Sequence, residues 1–223
     1  MECRFDYDRG GVTVRVPDTC AVSVVEPVAA APLADPGEAV LEALAAPIGT
    51  APLAQLAQGR QSAVVVIADK TRPVPNGITL PHVLQTLEAA GIARERIEIL
   101  NGTGLHRPNT REELVEMTSA DIVARYRIRN HIARDASAHR HVGRTSGGTE
   151  VWLDSGFLDA DLRITMGLIE PHLMAGYSGG RKLVTPAVAG VETMRTAHGP
   201  AMLEGHVGPG ILDNNPFHTD LLE

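Results

Sequence analysis

Apolar positions in this chain form short continuous runs separated by stretches of helical spacing. Ala63-Val64-Val65-Val66-Ile67-Ala68 is unbroken and β-branched, which predicts a central parallel strand covered on both faces. Leu80, Val83, Leu84 and Leu87 recur every three or four positions, predicting a helix capped by Thr79 and ended by Gly91. Ile97-Glu98-Ile99-Leu100 predicts the next strand, and Thr110 with Glu113 a capping box that starts a helix through Leu114 and Met117. Residues 126–128 and 151–153 predict further strands, and 162–168 a buried one. Toward the N-terminus Val12-Thr13-Val14-Arg15-Val16 alternates, predicting a hairpin with residues 5–7 across Asp8-Arg9-Gly10-Gly11. An Ala/Pro-rich connector over 27–36 leads to a helix opened by Asp35, Pro36 and Glu38 and carrying Val40, Leu41 and Leu44. Asn215-Pro216 opens a last helix at the C-terminus, which reads as cut within that helix. Strands alternating with helices predict an α/β fold: one domain over 1–223, a mainly parallel sheet flanked by helices, and an N-terminal β-hairpin.

Composition narrows the partners. The 223 residues carry a net charge of −7, against nucleic acid or an anionic membrane as a general partner. Aromatic residues make up only 3%, so Val, Leu, Ile and Ala must fill the core. Two cysteines, Cys3 and Cys20, have no metal-ligand spacing and make no disulfide framework. The charged N-terminus lacks the apolar core of a signal peptide, and no apolar run has the length of a membrane span, so a cytoplasmic setting is expected.

Candidate chemistry lies directly after predicted strands. Asp69-Lys70-Thr71-Arg72-Pro73 follows the first, Asn101-Gly102-Thr103-Gly104-Leu105-His106-Arg107-Pro108 the second. Glu170-Pro171-His172-Leu173-Met174-Ala175-Gly176-Tyr177-Ser178-Gly179-Gly180-Arg181-Lys182 follows the strand over 162–168. In an open parallel sheet ligands bind beyond the carboxyl ends of the strands, so three such loops predict one shared site. Arg72 suits a bidentate grip on carboxylate or phosphate, or an internal salt bridge with Asp69. Gly102 and Gly104 let backbone approach a ligand, with His106 just beyond as base or ligand. Ser178, Gly179 and Gly180 can offer backbone N–H groups to an anion, and Lys182 a nucleophilic amine. His198 reads from spacing as a histidine at a helix C-terminus or as a metal ligand. His139 and His141 read as a solvated loop, and His82 as a surface residue in the first turn of its helix. Neither the G-x-x-x-x-G-K-[ST] phosphate loop nor a G-x-G-x-x-G after a strand is present.

D-x-T-R-P at 69–73, G-T-x-x-H-R at 102–107, E-P-H-x-x-A-G-Y-S-G-G-R-K at 170–182 and a histidine sixteen residues later together resemble the nickel-dependent lactate racemase family. The resemblance covers the N-terminal, cofactor-tethering half of that family and implies a second domain absent from this chain. Pro186-Ala187 stands where Pro-Gly is expected. The resemblance implies a nickel pincer nucleotide attached covalently to Lys182, with His198 as the protein ligand to nickel. It implies His106 and His172 as opposed acid/base residues, one removing the hydroxyl proton of a 2-hydroxy acid as hydride leaves C2. Arg72 is then expected at the substrate carboxylate or a nearby cofactor oxygen. Asp69, Thr71, Ser178, Gly179 and Gly180 are expected at the cofactor's ribose and phosphate. Implied partners are a small 2-hydroxy acid, lactate by default, and the enzymes that build the cofactor: a carboxylase/hydrolase, a sulfur transferase and a nickel insertase. The isolated fragment is expected to be inactive. Two other readings of the same residues are a zinc hydrolase or lyase using His106, His172 and His198, and a non-catalytic nucleotide- or anion-binding module.

Overall fold

Alternating residues of Val12–Arg15 pair with Glu2–Phe5 to make an antiparallel hairpin, β1 (Glu2–Phe5) and β2 (Val12–Arg15), with Phe5 opposite Val12. The first strand therefore begins three residues earlier than the apolar pattern indicated. The computed structural model describes every residue except 8, 9, 27 and 29. Asp8 and Arg9 of the expected turn and Pro27 of the expected connector thus lie outside the described residues. The chain divides into two compact units, Met1–Ala34 and Asp35–Glu223.

The second unit opens with α1 (Pro36–Ala45), where Asp35 accepts from the Glu38 N–H at 2.9 Å, and α2 (Leu53–Ala57). Then come β3 (Ala63–Ala68), α3 (Asn76–Ala89), β4 (Ile97–Gly102), α4 (Arg111–Met117), α5 (Ala120–Arg125) and β5 (Arg127–Asn130). β6 (His139–Arg144) and β7 (Glu150–Asp154) form an antiparallel pair, followed by α6 (Ser155–Asp159) and β8 (Leu162–Met166). A two-residue ladder, β9 (Pro171–His172) with β10 (Gly176–Tyr177), precedes the helices α7 (Val191–Ala197), α8 (Pro200–Leu203) and α9 (Pro216–Asp220).

The main sheet has the order β5-β4-β3-β8 and is parallel throughout. All six residues of β3 are buried because the strand is covered on both faces. Val65 and Ile67 pack with Ile97 and Ile99 against Leu80, Leu84 and Leu87 of α3. Val64, Val66 and Leu100 pack on the opposite face with Phe157, Val188 and Met194. Each such side chain contributes about 1.5–3 kcal/mol relative to exposure. No helix among the described residues is long and apolar enough to cross a membrane.

Four local expectations change. Helix α3 starts at Asn76, not at Thr79, whose hydroxyl instead donates to the Pro75 carbonyl at 3.1 Å. β8 is an edge strand with alternating exposure, so the run over 162–168 is only half covered. His139 and His141 lie in strand β6 rather than a loop, and His139 is buried against His131. His82, on the second turn of α3, is half-buried.

Candidate functional site

β4 and β5 are laid down on one side of β3 and β8 on the other. The strand order therefore reverses between β3 and β8, and a crevice opens there beyond their carboxyl ends. Loops after β3, β4 and β8 meet in it. Asp69, Thr71, Arg72, Gly102, His106, His172, Ser178, Gly179, Lys182 and His198 line one cavity of about 280 Å³. Of the residues expected from sequence to be catalytic, cofactor-binding or metal-ligating, Gly180 is the one outside that lining.

The first loop holds the second. Asp69 is buried; its Oδ1 accepts from the Thr71 hydroxyl at 2.6 Å, and its Oδ2 lies 2.7 Å from His106 Nδ1. A carboxylate only accepts, so a neutral His106 keeps its proton on Nδ1 and turns a bare Nε2 outward. The Asp69–Arg72 salt bridge read as an alternative does not form. Arg72 Nη1 instead donates to Glu170 Oε1 at 2.7 Å, joining the first loop to the third.

Gly102 and the third loop fit closely. A Cβ on Gly102 would stand 2.8 Å from the Ala187 Cβ, so glycine there makes room for the alanine at 187. The Gly104 N–H donates to the Ala187 carbonyl at 3.0 Å, with Gly104 at a φ of +55°. The Thr103 hydroxyl donates to the His131 carbonyl at 2.6 Å.

In the third loop Ser178 is a structural tie. Its N–H donates to the Glu170 carbonyl at 2.9 Å, while its hydroxyl donates to the Leu168 carbonyl and accepts from the Glu170 N–H. Gly179 and Gly180 take φ values of +71° and +49° and lead into a 3₁₀ turn, Gly180–Leu183, that turns Lys182 into the cavity. Arg181 turns elsewhere, donating to the Ala175 carbonyl at 2.7 Å. His172 Nδ1 accepts from the Met174 and Ala175 N–H groups at 3.1 and 3.2 Å. Its Nε2 lies 3.1 Å from Lys182 Nζ.

Burial and cations set the charge states. Desolvation, aided by Arg72 and Arg181, lowers the Lys182 amine to about 8. Desolvation, then Lys182 and Arg72, lowers His172 to about 4; desolvation, then Lys182, lowers His198 to about 4. His198 is the C-cap of α7, with a buried Nδ1 that has no hydrogen-bond partner among the described residues. A histidine that favours a helix C-terminus through the dipole does so as a cation, and this one is held neutral. Among the described residues no group of three or more His, Cys, Asp or Glu side chains is arranged to hold a metal by itself. The zinc reading, which needs His106, His172 and His198 together, finds no such geometry.

Three participants were missed from sequence. Glu113 accepts from Lys70 Nζ at 2.7 Å and from both Arg107 Nη atoms at 2.8 and 2.6 Å, tying two site loops to α4. The capping box was its visible signal, and that box forms. Glu170 was visible in its motif but without a partner. Phe217 of α9 carries the His198 ring edge-on at 5.1 Å and lies 5.2 Å below Lys182 Nζ. No local pattern marked it.

Known proteins resemble this chain in sequence and fold. A family model described as the lactate racemase N-terminal domain matches residues 7–208. Lactate racemase of Lactiplantibacillus plantarum is 37% identical over 186 residues, 83% of this chain and 44% of that protein. Lactate racemase of Thermoanaerobacterium thermosaccharolyticum is 34% identical over 184 residues, 82% of this chain and 43% of that protein. The solved lactate racemase apoprotein from the latter organism superposes with a TM-score of 0.86 at 30% identity, covering 100% of this chain and 52% of its own. A Thermotoga maritima protein, 23% identical with a TM-score of 0.67, shares the fold over 83% of this chain and 46% of its own. The chain spans about half the length of the relatives it matches.

Proposed function

Because the chain belongs to the lactate racemase N-terminal domain family, we propose that it is the cofactor-tethering half of a racemase or epimerase of a 2-hydroxy acid, lactate being the first to test. The observation that carries this reading is the meeting of His106, His172, Lys182 and His198 on one cavity.

The residues fit a nickel pincer nucleotide on two counts. Lys182 is a buried amine with no ion pair among the described residues, as a covalent tether requires. His198 is a neutral imidazole with an unsatisfied buried nitrogen, suited to nickel beside soft sulfur donors. When bound, that group supplies an acceptor for the hydride on substrate C2. The chain's own residues do the rest. His106 Nε2 takes the hydroxyl proton from one face, with Asp69 holding its tautomer. His172 serves the other face. Arg72 takes the substrate carboxylate while Glu170 fixes its guanidinium. Thr71 and Gly179 line the cavity and would face the nucleotide's ribose and phosphate, whereas the Ser178 N–H is engaged by the Glu170 carbonyl and Gly180 lies outside the lining. Both Asp69 oxygens are engaged by Thr71 and His106, which favours a positioning role for Asp69 over a nucleotide contact.

Intact-mass and metal analysis tests the reading on protein made alongside the carboxylase/hydrolase, sulfur transferase and nickel insertase. A mass adduct on Lys182, absent from Lys182→Ala, and nickel that is lost in His198→Ala are expected. A loaded protein with neither adduct nor nickel sinks the proposal. The 223-residue chain alone is expected not to racemise lactate, since it spans about half of its relatives; turnover by it would overturn that expectation.

A further inference from the structure

Lys182 is one of only two lysines in the chain. The other, Lys70, is bonded to Glu113 at 2.7 Å and is 43% exposed. Lys182 is 8% exposed, and its hydrogen-bond neighbour is His172 Nε2 at 3.1 Å. The protons of this pair can be placed from geometry. Met174 and Ala175 both direct backbone N–H groups at His172 Nδ1, and a backbone N–H can only donate. Nδ1 is therefore bare, and a neutral imidazole must carry its proton on Nε2. That N–H faces Lys182 Nζ. An ammonium has three donors and no lone pair, so it would meet the Nε2–H donor to donor. An imidazolium is no remedy, because a proton on Nδ1 would oppose two amides. Only an unprotonated amine, accepting from Nε2–H, satisfies every atom. Arg72 and Arg181 nearby also disfavour a third cation.

We propose that His172 is a positioning residue for Lys182, its Nε2–H bonding the lone pair of a free amine that is thereby ready to be acylated, and that acylation releases His172. In that step the Nζ lone pair leaves the His172 N–H and attacks the carbon of an activated acyl or thioacyl donor. The N–C bond forms, and the bond to the leaving group breaks with its electron pair. The surplus amine proton passes to the leaving group or to water. The product nitrogen, conjugated with its new carbonyl or thiocarbonyl, no longer accepts a hydrogen bond. The His172 Nε2–H is then released and free to donate to another group in the cavity. That Lys182 is acylated in the cell rests on the proposed function; the hydrogen-bond arrangement does not.

The test uses the 223-residue chain without cofactor and N-hydroxysuccinimidyl acetate as the acyl donor at pH 7, with acetylation of each lysine followed by peptide mass spectrometry. His172→Leu is expected to slow acetylation of Lys182 about tenfold, one pKa unit's worth of free amine. His172→Gln keeps a donor toward the amine and an acceptor toward the amides, and is expected to stay within about threefold of wild type. Lys70 serves as the internal control and is expected to react equally in all three. Equal Lys182 rates in all three proteins overturn the proposal. Nitrogen-15 NMR of the wild-type imidazoles tests it without substitution: His172 is expected protonated on Nε2 alone, with its resonances moving once Lys182 is acetylated. A proton on Nδ1 overturns it. Such a failure alongside a Lys182 adduct in loaded protein would leave the proposed function standing.

Discussion

His106 and His172 face one cavity in opposite tautomers. Asp69 draws the His106 proton to Nδ1, whereas two backbone amides strip it from His172 Nδ1. Asp69→Asn can present an N–H to His106 and reverse its tautomer. In loaded protein of the relatives' full length it is expected to lower racemisation at least about 100-fold, the usual worth of a positioned base, with the Lys182 adduct intact by mass. Loss of the adduct would instead assign Asp69 to the nucleotide. The sequence named both histidines, since residue type and position after a strand are local facts. It could not name their tautomers. Those depend on Asp69, 37 residues from His106, and on how the turn between β9 and β10 points its amides.

Among the elements, α4 shows how a local signal carries a distant consequence. Thr110 and Glu113 were legible as a capping box because both bonds close within one helical turn. The same carboxylate also gathers Lys70 and Arg107, which hold it well below the usual carboxylate range, Arg107 first. Glu113→Ala is expected to lower the melting temperature by about 2–4 °C through loss of the cap, read by calorimetry. It is also expected to increase amide hydrogen exchange in residues 69–72 and 104–108. An unchanged exchange pattern would show that the tie to the site loops does not hold them. Helix α3 shows the opposite case. Thr79 looked like a cap from residue type, yet its hydroxyl is satisfied inside the helix by the Pro75 carbonyl.

Across the whole molecule, His131, His172 and His198 are each lowered to about 4, by desolvation above all. A histidine that resists protonation when folded takes up its proton on unfolding, so the unfolded chain binds more protons between pH 6.5 and 4. Stability is thus full above about 6.5 and falls as the pH drops toward 4. Urea unfolding is expected to show a slope of at least about 1.4 kcal/mol per pH unit in this window, one proton's worth. Glu88, lowered to about 2 by Arg94 and Tyr126, gives up its contribution only below about 4.5, so the interval from 6.5 to 4.5 belongs to the histidines. A flat profile there would refute their neutrality.

The strand β3 with its two-sided burial, the strand β4, the caps at Asp35 and Thr110 and the residue types of the site were determined by the sequence alone. Each rests on spacing or hydrogen bonds within a few residues. Tertiary structure decided that β8 lies beside β3 and opens the crevice, that Glu170 takes Arg72, and that Phe217 underlies Lys182 and His198. These pairings join residues from 19 to 99 positions apart in the chain, counted from His198 to Phe217 and from Ala63 to Leu162. They follow from how the covered faces of the sheet pack, which no local pattern encodes.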